Sequence, residues 1–317
     1  MTEILKLKNI SKSYNNVRSL NNVNITLKAG KIYGLIGLNG AGKTTLMKVI
    51  AGFIKPQSGT LELFGRSGEK EIARQRKRIG FLIDPPSGIH MNMTPYENMD
   101  FYRTLKGIPN KEYMEELLIM TGIKDYKKKK AGSLSMGMKQ RLGIAISLLG
   151  NPEILILDEP VNGVDPAGIV EIRNMLKRLC EEKNISILIS SHILGELDNL
   201  ATDYIIIHEG QIKEEISGHD VKEKCRKYIL LKTDEPERMS YIIENHLNTR
   251  NYIVMPDKSI RLYDYIDDRA AIARVFLDNK ILVTNISCEN GSLEEHFMSV
   301  IGRKNQYDYQ GVEENYV

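Results

Sequence analysis

Lys31-Ile-Tyr-Gly-Leu-Ile-Gly37-Leu-Asn-Gly-Ala-Gly42-Lys43-Thr44-Thr45 decides the fold. Its first half is an apolar strand that runs straight into glycines. From Thr44 the pattern turns helical, with Leu46, Val49 and Ile50 on one face. Gly37 to Thr44 fits G-x-x-x-x-G-K-[ST], and each position has a reason. Phosphate oxygens need many donors at close range, and glycines let backbone N–H groups turn inward with no Cβ in the way. Lys43 would set its ammonium against the β- and γ-phosphates, and the Thr44 hydroxyl would hold Mg²⁺. The helix that follows aims its positive N-terminus at the anion. The expected ATP-binding set is Gly37, Leu38, Asn39, Gly40, Ala41, Gly42, Lys43, Thr44 and Thr45.

Upstream of this loop, residues 3–10 and 23–28 alternate apolar and polar as half-buried strands do, with turns at Asn15-Asn16 and Ala29-Gly30. Downstream, 60–64 and 79–83 read as further strands. Residues 88–132 are polar and helical, with helices expected at 96–106 and 111–120; the lysine run Lys127–Lys130 reads as a solvated helix end or loop. A helix over 136–149 precedes the strand Ile154–Leu157. The helix 167–183 carries Ile169, Ile172, Leu176 and Leu179 on one face, and Asp165-Pro166 suits its start. Strand 185–190, a short helix 193–200 and strand 204–208 complete an α/β rhythm, which implies a mostly parallel sheet. After Ser217 the order becomes β-α-β-β-α-β over 228–287, that of a ferredoxin-like split unit, with a last helix from Ser292.

Bulk properties exclude some classes. A formal net charge of +3 does not mark a nucleic-acid binder. Cys180, Cys225 and Cys288 are scattered and not at metal-ligand spacing, as for inert thiols in a reducing compartment. No apolar run approaches the ~18–20 residues that span a bilayer, and MTEILKLKN lacks the apolar stretch of a secretory signal. A cytoplasmic chain is expected, so any membrane-spanning part must come from a separate subunit.

A second acidic site follows the loop. Ile154-Leu-Ile-Leu-Asp158-Glu159 is a buried-type strand that ends in two carboxylates. One carboxylate at a sheet's C-terminal edge can hold Mg²⁺, usually through water, and the next can orient the attacking water. Asp158 is expected at the metal with Thr44, and Glu159 at the water. An acidic strand end alone is commonly only a helix cap; the phosphate loop upstream is what gives this one chemistry.

The order of these motifs resembles the nucleotide-binding subunit of ABC transporters, over roughly residues 3–215. Leu134-Ser-Met-Gly-Met-Lys-Gln-Arg141 stands where that family has its LSGGQ signature, with Met136 and Met138 as departures. The resemblance implies that Ser135 and Gly137 face the γ-phosphate held by an opposite subunit, hence a homodimer, or a pair with another such ATPase, around two ATP. It places Tyr14 where the family stacks an aromatic ring on adenine, His192 at the switch position that senses the γ-phosphate, and Gly163-Val-Asp165 at the D-loop. In Ile79-Gly-Phe-Leu-Ile-Asp84-Pro-Pro86, Asp84 occupies the family's Q-loop glutamine position. It is shorter and charged, and is expected at Mg²⁺ or water. Within the family, Ile-Asp-Pro-Pro, Met-Gly-Met-Lys-Gln-Arg-Leu and Leu293-Glu-Glu-His-Phe297 look most like bacitracin and lantibiotic resistance exporters.

The fold class so implied is α/β: an ABC-type P-loop ATPase domain over 1–216, with an N-terminal antiparallel part and a helical subdomain at about 88–150. A smaller α+β domain at 217–302, ferredoxin-like in order, and a flexible tail at 303–317 follow. The implied function is an ATP-hydrolysing motor with Glu159 and His192 as catalytic residues. It would be peripheral on the inner face of the cell membrane, driving a separate integral-membrane permease, for export of a peptide antibiotic or other small amphiphile. No nucleic-acid partner is expected. The alternative is a soluble ABC-type ATPase acting on ribosomes or DNA. Against it stand a single phosphate loop and the lack of a long coiled-coil insertion. The C-terminal region would support dimerisation or regulate.

Overall fold

A computed structural model describes residues 2–83 and 88–302 of the chain. It divides into two compact units after Gly218. The first unit opens with β1 (Glu3–Tyr14) and β2 (Val17–Lys28), longer than the alternating runs alone suggest. Asn15 and Asn16 both take the left-handed conformation (φ 45° and 68°), so a tight turn lets the two strands pair almost end to end.

Next come β3 (Ile32–Ile36), α1 (Lys43–Ala51), β4 (Ser58–Leu63), α2 (Glu69–Gln75) and β5 (Ile79–Leu82). A helical stretch follows, with α3 (Pro95–Leu105), α4 (Glu112–Met120) and α5 (Met136–Ser147). Thr94 and Glu97 start α3 with reciprocal side-chain to backbone hydrogen bonds, which satisfy two otherwise orphaned N–H groups. The remainder of the unit is β6 (Ile154–Asp158), α6 (Pro166–Lys183), β7 (Ser186–Ser191), α7 (Leu194–Asp198), β8 (Asp203–His208) and β9 (Gln211–Ser217). Asp165 caps α6 by accepting from the Gly168 N–H at 3.2 Å, with Pro166 in the first turn.

Among the described residues of this unit the strands form two sheets. β2-β1-β4 is antiparallel. The other runs β5-β6-β7-β3-β8-β9, parallel except for β9. β3, β6 and β7 are buried along their whole length, which is why apolar residues sit at successive positions in them, as Ile187-Leu-Ile189 does in β7. One core joins both sheets to α1: Leu5, Leu7 and Val23 meet Leu35, Ile156 and Leu188 across Leu46 and Ile50. β9 is a correction to the sequence reading, which ended the sheet at 208. Its residues, Gln-Ile-Lys-Glu-Glu-Ile-Ser, lie at the sheet's edge and only Ile216 is buried.

The register of the parallel strands sets up the site. β7 lies between β6 and β3, pairing Ser190 with Asp158 and Ser191 with Ile36. The C-terminal ends of these three neighbours therefore coincide, at the edge where parallel α/β sheets bind ligands.

The second unit opens with α8 (Gly218–Lys224) and continues with β10 (Lys227–Thr233), α9 (Pro236–His246), β11 (Tyr252–Val254), β12 (Ile260–Leu262), α10 (Arg269–Asp278), β13 (Val283–Asn290) and α11 (Leu293–Val300). Its sheet is ordered β11-β12-β10-β13 and every pair is antiparallel, the ferredoxin-like arrangement. Ile229, Leu231, Ile260 and Leu262 face Met239, Ile243, Ile272 and Phe276 from α9 and α10 in a separate core.

Candidate functional site

The loop after β3 is held open by its glycines. Gly42 takes φ 108°, and a Cβ there would sit 2.6 Å from the Ser19 carbonyl oxygen; a Cβ on Gly37 would lie 2.5 Å from that of Ile207. At these two positions the loop backbone is clamped against β2 and β8 with no room for a side chain. Gly42→Ala is expected to lower stability by at least about 2 kcal/mol, from left-handed strain and overpacking together. A denaturant titration with an unchanged midpoint would contradict this.

Gly42 also starts α1 without a side-chain cap, so the first N–H groups of the helix keep their donors for an anion. Lys43 is buried, and its Nζ donates to the carbonyl oxygens of Gly37 at 2.7 Å and Leu38 at 3.3 Å. Burial pulls its pKa down; Glu159, 3.8 Å away, and Asp158 oppose that. A phosphate arriving at this ammonium would replace lost hydration with charge. Thr45 accepts from the Ser19 hydroxyl at 2.8 Å, pinning the first turn of α1 to β2.

Asp158 lies buried at the end of β6 and accepts twice. The Thr44 hydroxyl donates to its Oδ2 at 2.7 Å and the Ser190 hydroxyl to its Oδ1 at 2.6 Å. The Ser190 oxygen in turn accepts from the Glu159 N–H at 3.0 Å. Ser190 thereby fixes both acids, a role sequence reasoning missed because a hydroxyl at a strand end carries no periodic signal. Glu159 sits in the left-handed region, φ 48°, a costly conformation for a non-glycine residue and one found preferentially at functional positions. Its carboxylate pairs with Lys43, and His192 Nδ1 bonds its Oε2.

Thr44 with Asp158 makes a hard-oxygen pair of the kind that suits Mg²⁺ when phosphates supply further ligands. Among the described residues no cluster of three or more His, Cys, Asp or Glu side chains could hold a metal ion. Asp84 lies outside the described residues, as does the segment 303–317.

Hydrogen bonds and ion pairs thus bring Lys43, Thr44, Asp158, Glu159 and His192 to one mouth. They do not bring Ser135 or Gly137 there. Ser135 caps α5, accepting from the Met138 N–H at 3.3 Å. A Cβ on Gly137 would stand 3.1 Å from Val164, and one on Gly163 3.4 Å from Met136. The starts of α5 and α6 are therefore packed on one another, a contact the separate motifs did not reveal. Tyr14 ends β1 with its ring exposed and the Lys12 ammonium 5.5 Å from the ring centroid.

The chain is similar to known proteins in sequence and fold. A family model described as ABC transporter matches residues 20–162. The bacitracin transport ATP-binding protein BcrA of Bacillus licheniformis is 40% identical over 302 residues, covering 95% of this chain and 98% of that protein. The lantibiotic transport ATP-binding protein SrtF of Streptococcus pyogenes is 40% identical over 230 residues, 72% of this chain and 98% of that protein. Among solved structures, the dimeric post-hydrolysis cassette MJ0796 bound to ADP and Pi superposes with a TM-score of 0.62 at 25% identity, covering 68% of this chain and 98% of that one. CbiO1 from Clostridium perfringens, part of the transporter complex CbiONQ, gives 0.64 at 27% identity, covering 78% and 97%.

Proposed function

The chain belongs to the ATP-binding, ATP-hydrolysing subunits of ABC transporters, and from that premise we propose that it acts as one half of a dimer that closes around two ATP molecules and drives a separate integral-membrane permease. The cargo is a peptide antibiotic or another small amphiphile moving outward, in line with the transport names of BcrA and SrtF. One observation carries the two-chain reading. The loop, both acids and His192 are bonded into one mouth, while Ser135 and Gly137 stand apart at the head of α5. A second copy could bring its own Ser135 and Gly137 to the phosphates held here.

In this reading Gly37–Thr45 cradles the phosphates and Lys43 neutralises them. Thr44, Asp158 and Asp84 would hold Mg²⁺. That ion would draw charge from the phosphate oxygens when bound. Glu159 orients the attacking water and takes up its proton, His192 senses the γ-phosphate, and Tyr14 stacks on adenine. Unit 2 supports the dimer or regulates it.

No helix among the described residues is long and apolar enough to cross a membrane, so the spanning part is assigned to the partner. The permease docks on the segment 88–132, where Phe101 and Leu105 are exposed on α3. Purification of the tagged chain from membranes should recover an integral-membrane protein, and Leu105→Asp should release it without changing ATP binding. Recovery of ribosomes or DNA in its place would overturn the transporter assignment.

A further inference from the structure

The sheet of the second unit has two different faces. Ile229, Leu231, Ile260 and Leu262 turn toward α9 and α10. Their chain neighbours Tyr228, Leu230, Arg261 and Tyr263 line the opposite face, which opens into a cleft of about 1120 Å³. α11 runs along it and contributes Glu295, His296 and Met298. This volume suffices for a small organic ligand.

Two arginine–tyrosine stacks build the polar part. The Arg226 guanidinium carbon is 4.0 Å from the Tyr263 ring centroid, and that of Arg261 is 4.4 Å from the Tyr228 centroid. The two rings meet edge to face at 6.1 Å. Stacking fixes the plane of a guanidinium and leaves the N–H groups on its edges free to bond in that plane.

Of the four acids that line the cleft, Glu295 pairs with Arg261, Glu289 and Asp257 accept from hydroxyls, and Glu223 is exposed. Glu289 accepts from the Tyr228 hydroxyl at 3.2 Å and the Ser287 hydroxyl at 2.8 Å; Asp257 accepts from the Ser259 hydroxyl at 2.6 Å. The arginines are not saturated. Arg226 gives Nη2 to Asn251 at 2.6 Å, Arg261 gives Nη2 to Glu295 at 3.3 Å, and the Arg261 Nε is buried with no hydrogen-bond partner. Each guanidinium has five N–H donors and no acceptor, so this face has donors in excess. Beside it, Leu230, Ile253, Met255 and Met298 form an apolar wall.

We propose that this cleft binds a small amphiphilic organic anion, its carboxylate or phosphate held by Arg226 and Arg261 and its apolar body laid against Leu230, Ile253, Met255 and Met298. A bidentate oxyanion matches a guanidinium edge, and methionines adapt to an apolar body of varied shape. The site shares no residue with the nucleotide mouth and does not rest on the transport reading.

Calorimetric titration of the full chain without nucleotide tests it, with octanoate, octyl phosphate, 1-octanol and inorganic phosphate as probes. Octanoate or octyl phosphate should bind saturably, and about tenfold or more tighter than 1-octanol or inorganic phosphate; the better of the two identifies the acid group. Arg261→Met and, at the exposed rim, Arg226→Met should each weaken that binding about tenfold or more, with basal ATP hydrolysis unchanged. No saturable binding of either anionic probe, equal binding of 1-octanol, or full affinity in Arg226→Met and Arg261→Met overturns the proposal.

Discussion

Glu159→Gln should leave ATP binding intact and lower turnover by about 10²–10⁴-fold, the usual contribution of a positioned general base. Glutamine keeps the shape of the side chain, and the bond from the backbone N–H to Ser190 survives. What is lost is the negative charge between Lys43 and His192, and with it the proton acceptor for the attacking water. The variant should therefore accumulate as an ATP-bound dimer on size exclusion, because closure proceeds and reopening waits on hydrolysis. Undiminished ATPase activity would remove Glu159 from this role. A dead enzyme that remains monomeric with saturating ATP would retain the chemistry and remove the clamp.

Lys43→Met should act one step earlier and abolish useful nucleotide affinity. The ammonium is buried and spends its protons on the Gly37 and Leu38 carbonyls until a phosphate replaces them. Charged hydrogen bonds contribute about 1.5–3 kcal/mol each, so losing contacts to two phosphate groups weakens binding about 100-fold or more. The readout is ligand-induced stabilisation. At a concentration of 100 times Kd, ATP raises unfolding free energy by about 2.7 kcal/mol; a 100-fold weaker site gains only about 0.4 kcal/mol. If Lys43→Met kept the full ATP-induced shift in thermal unfolding, the loop would not be holding phosphates through this side chain.

The sequence exposed the parts of the site that lie in one stretch. A strand, a glycine loop and a helix in succession left little freedom at Gly37–Thr45, and the all-apolar run before Asp158 could only be an interior strand. It could not expose pairings between distant stretches. Thr44 and Asp158 were expected at one metal, but the bond that joins them depends on the register of β6 against β7 and of β7 against β3. Ser190 and Ser19 were invisible as site residues, since a serine becomes a positioning group only once its neighbours across the sheet are known. β9 escaped because an edge strand facing water need not alternate. The second unit was the reverse case. Two of its strands, β11 and β12, are short, yet the order of its elements gave the pairing pattern, because few antiparallel arrangements close a β-α-β-β-α-β chain without crossings.

β10 writes two messages in one strand, sorted by the parity of residue number. Odd positions, Ile229 and Leu231, spell the core; even positions, Tyr228, Leu230 and Lys232, spell the cleft. Such a strand cannot be edited by insertion or deletion, since shifting it by one residue exchanges both faces at once. The cleft can drift only by substitution, one letter at a time, and the core stays legible while it does. Substitutions on that face can thus reshape the cleft without disturbing the core on which the fold of the unit depends.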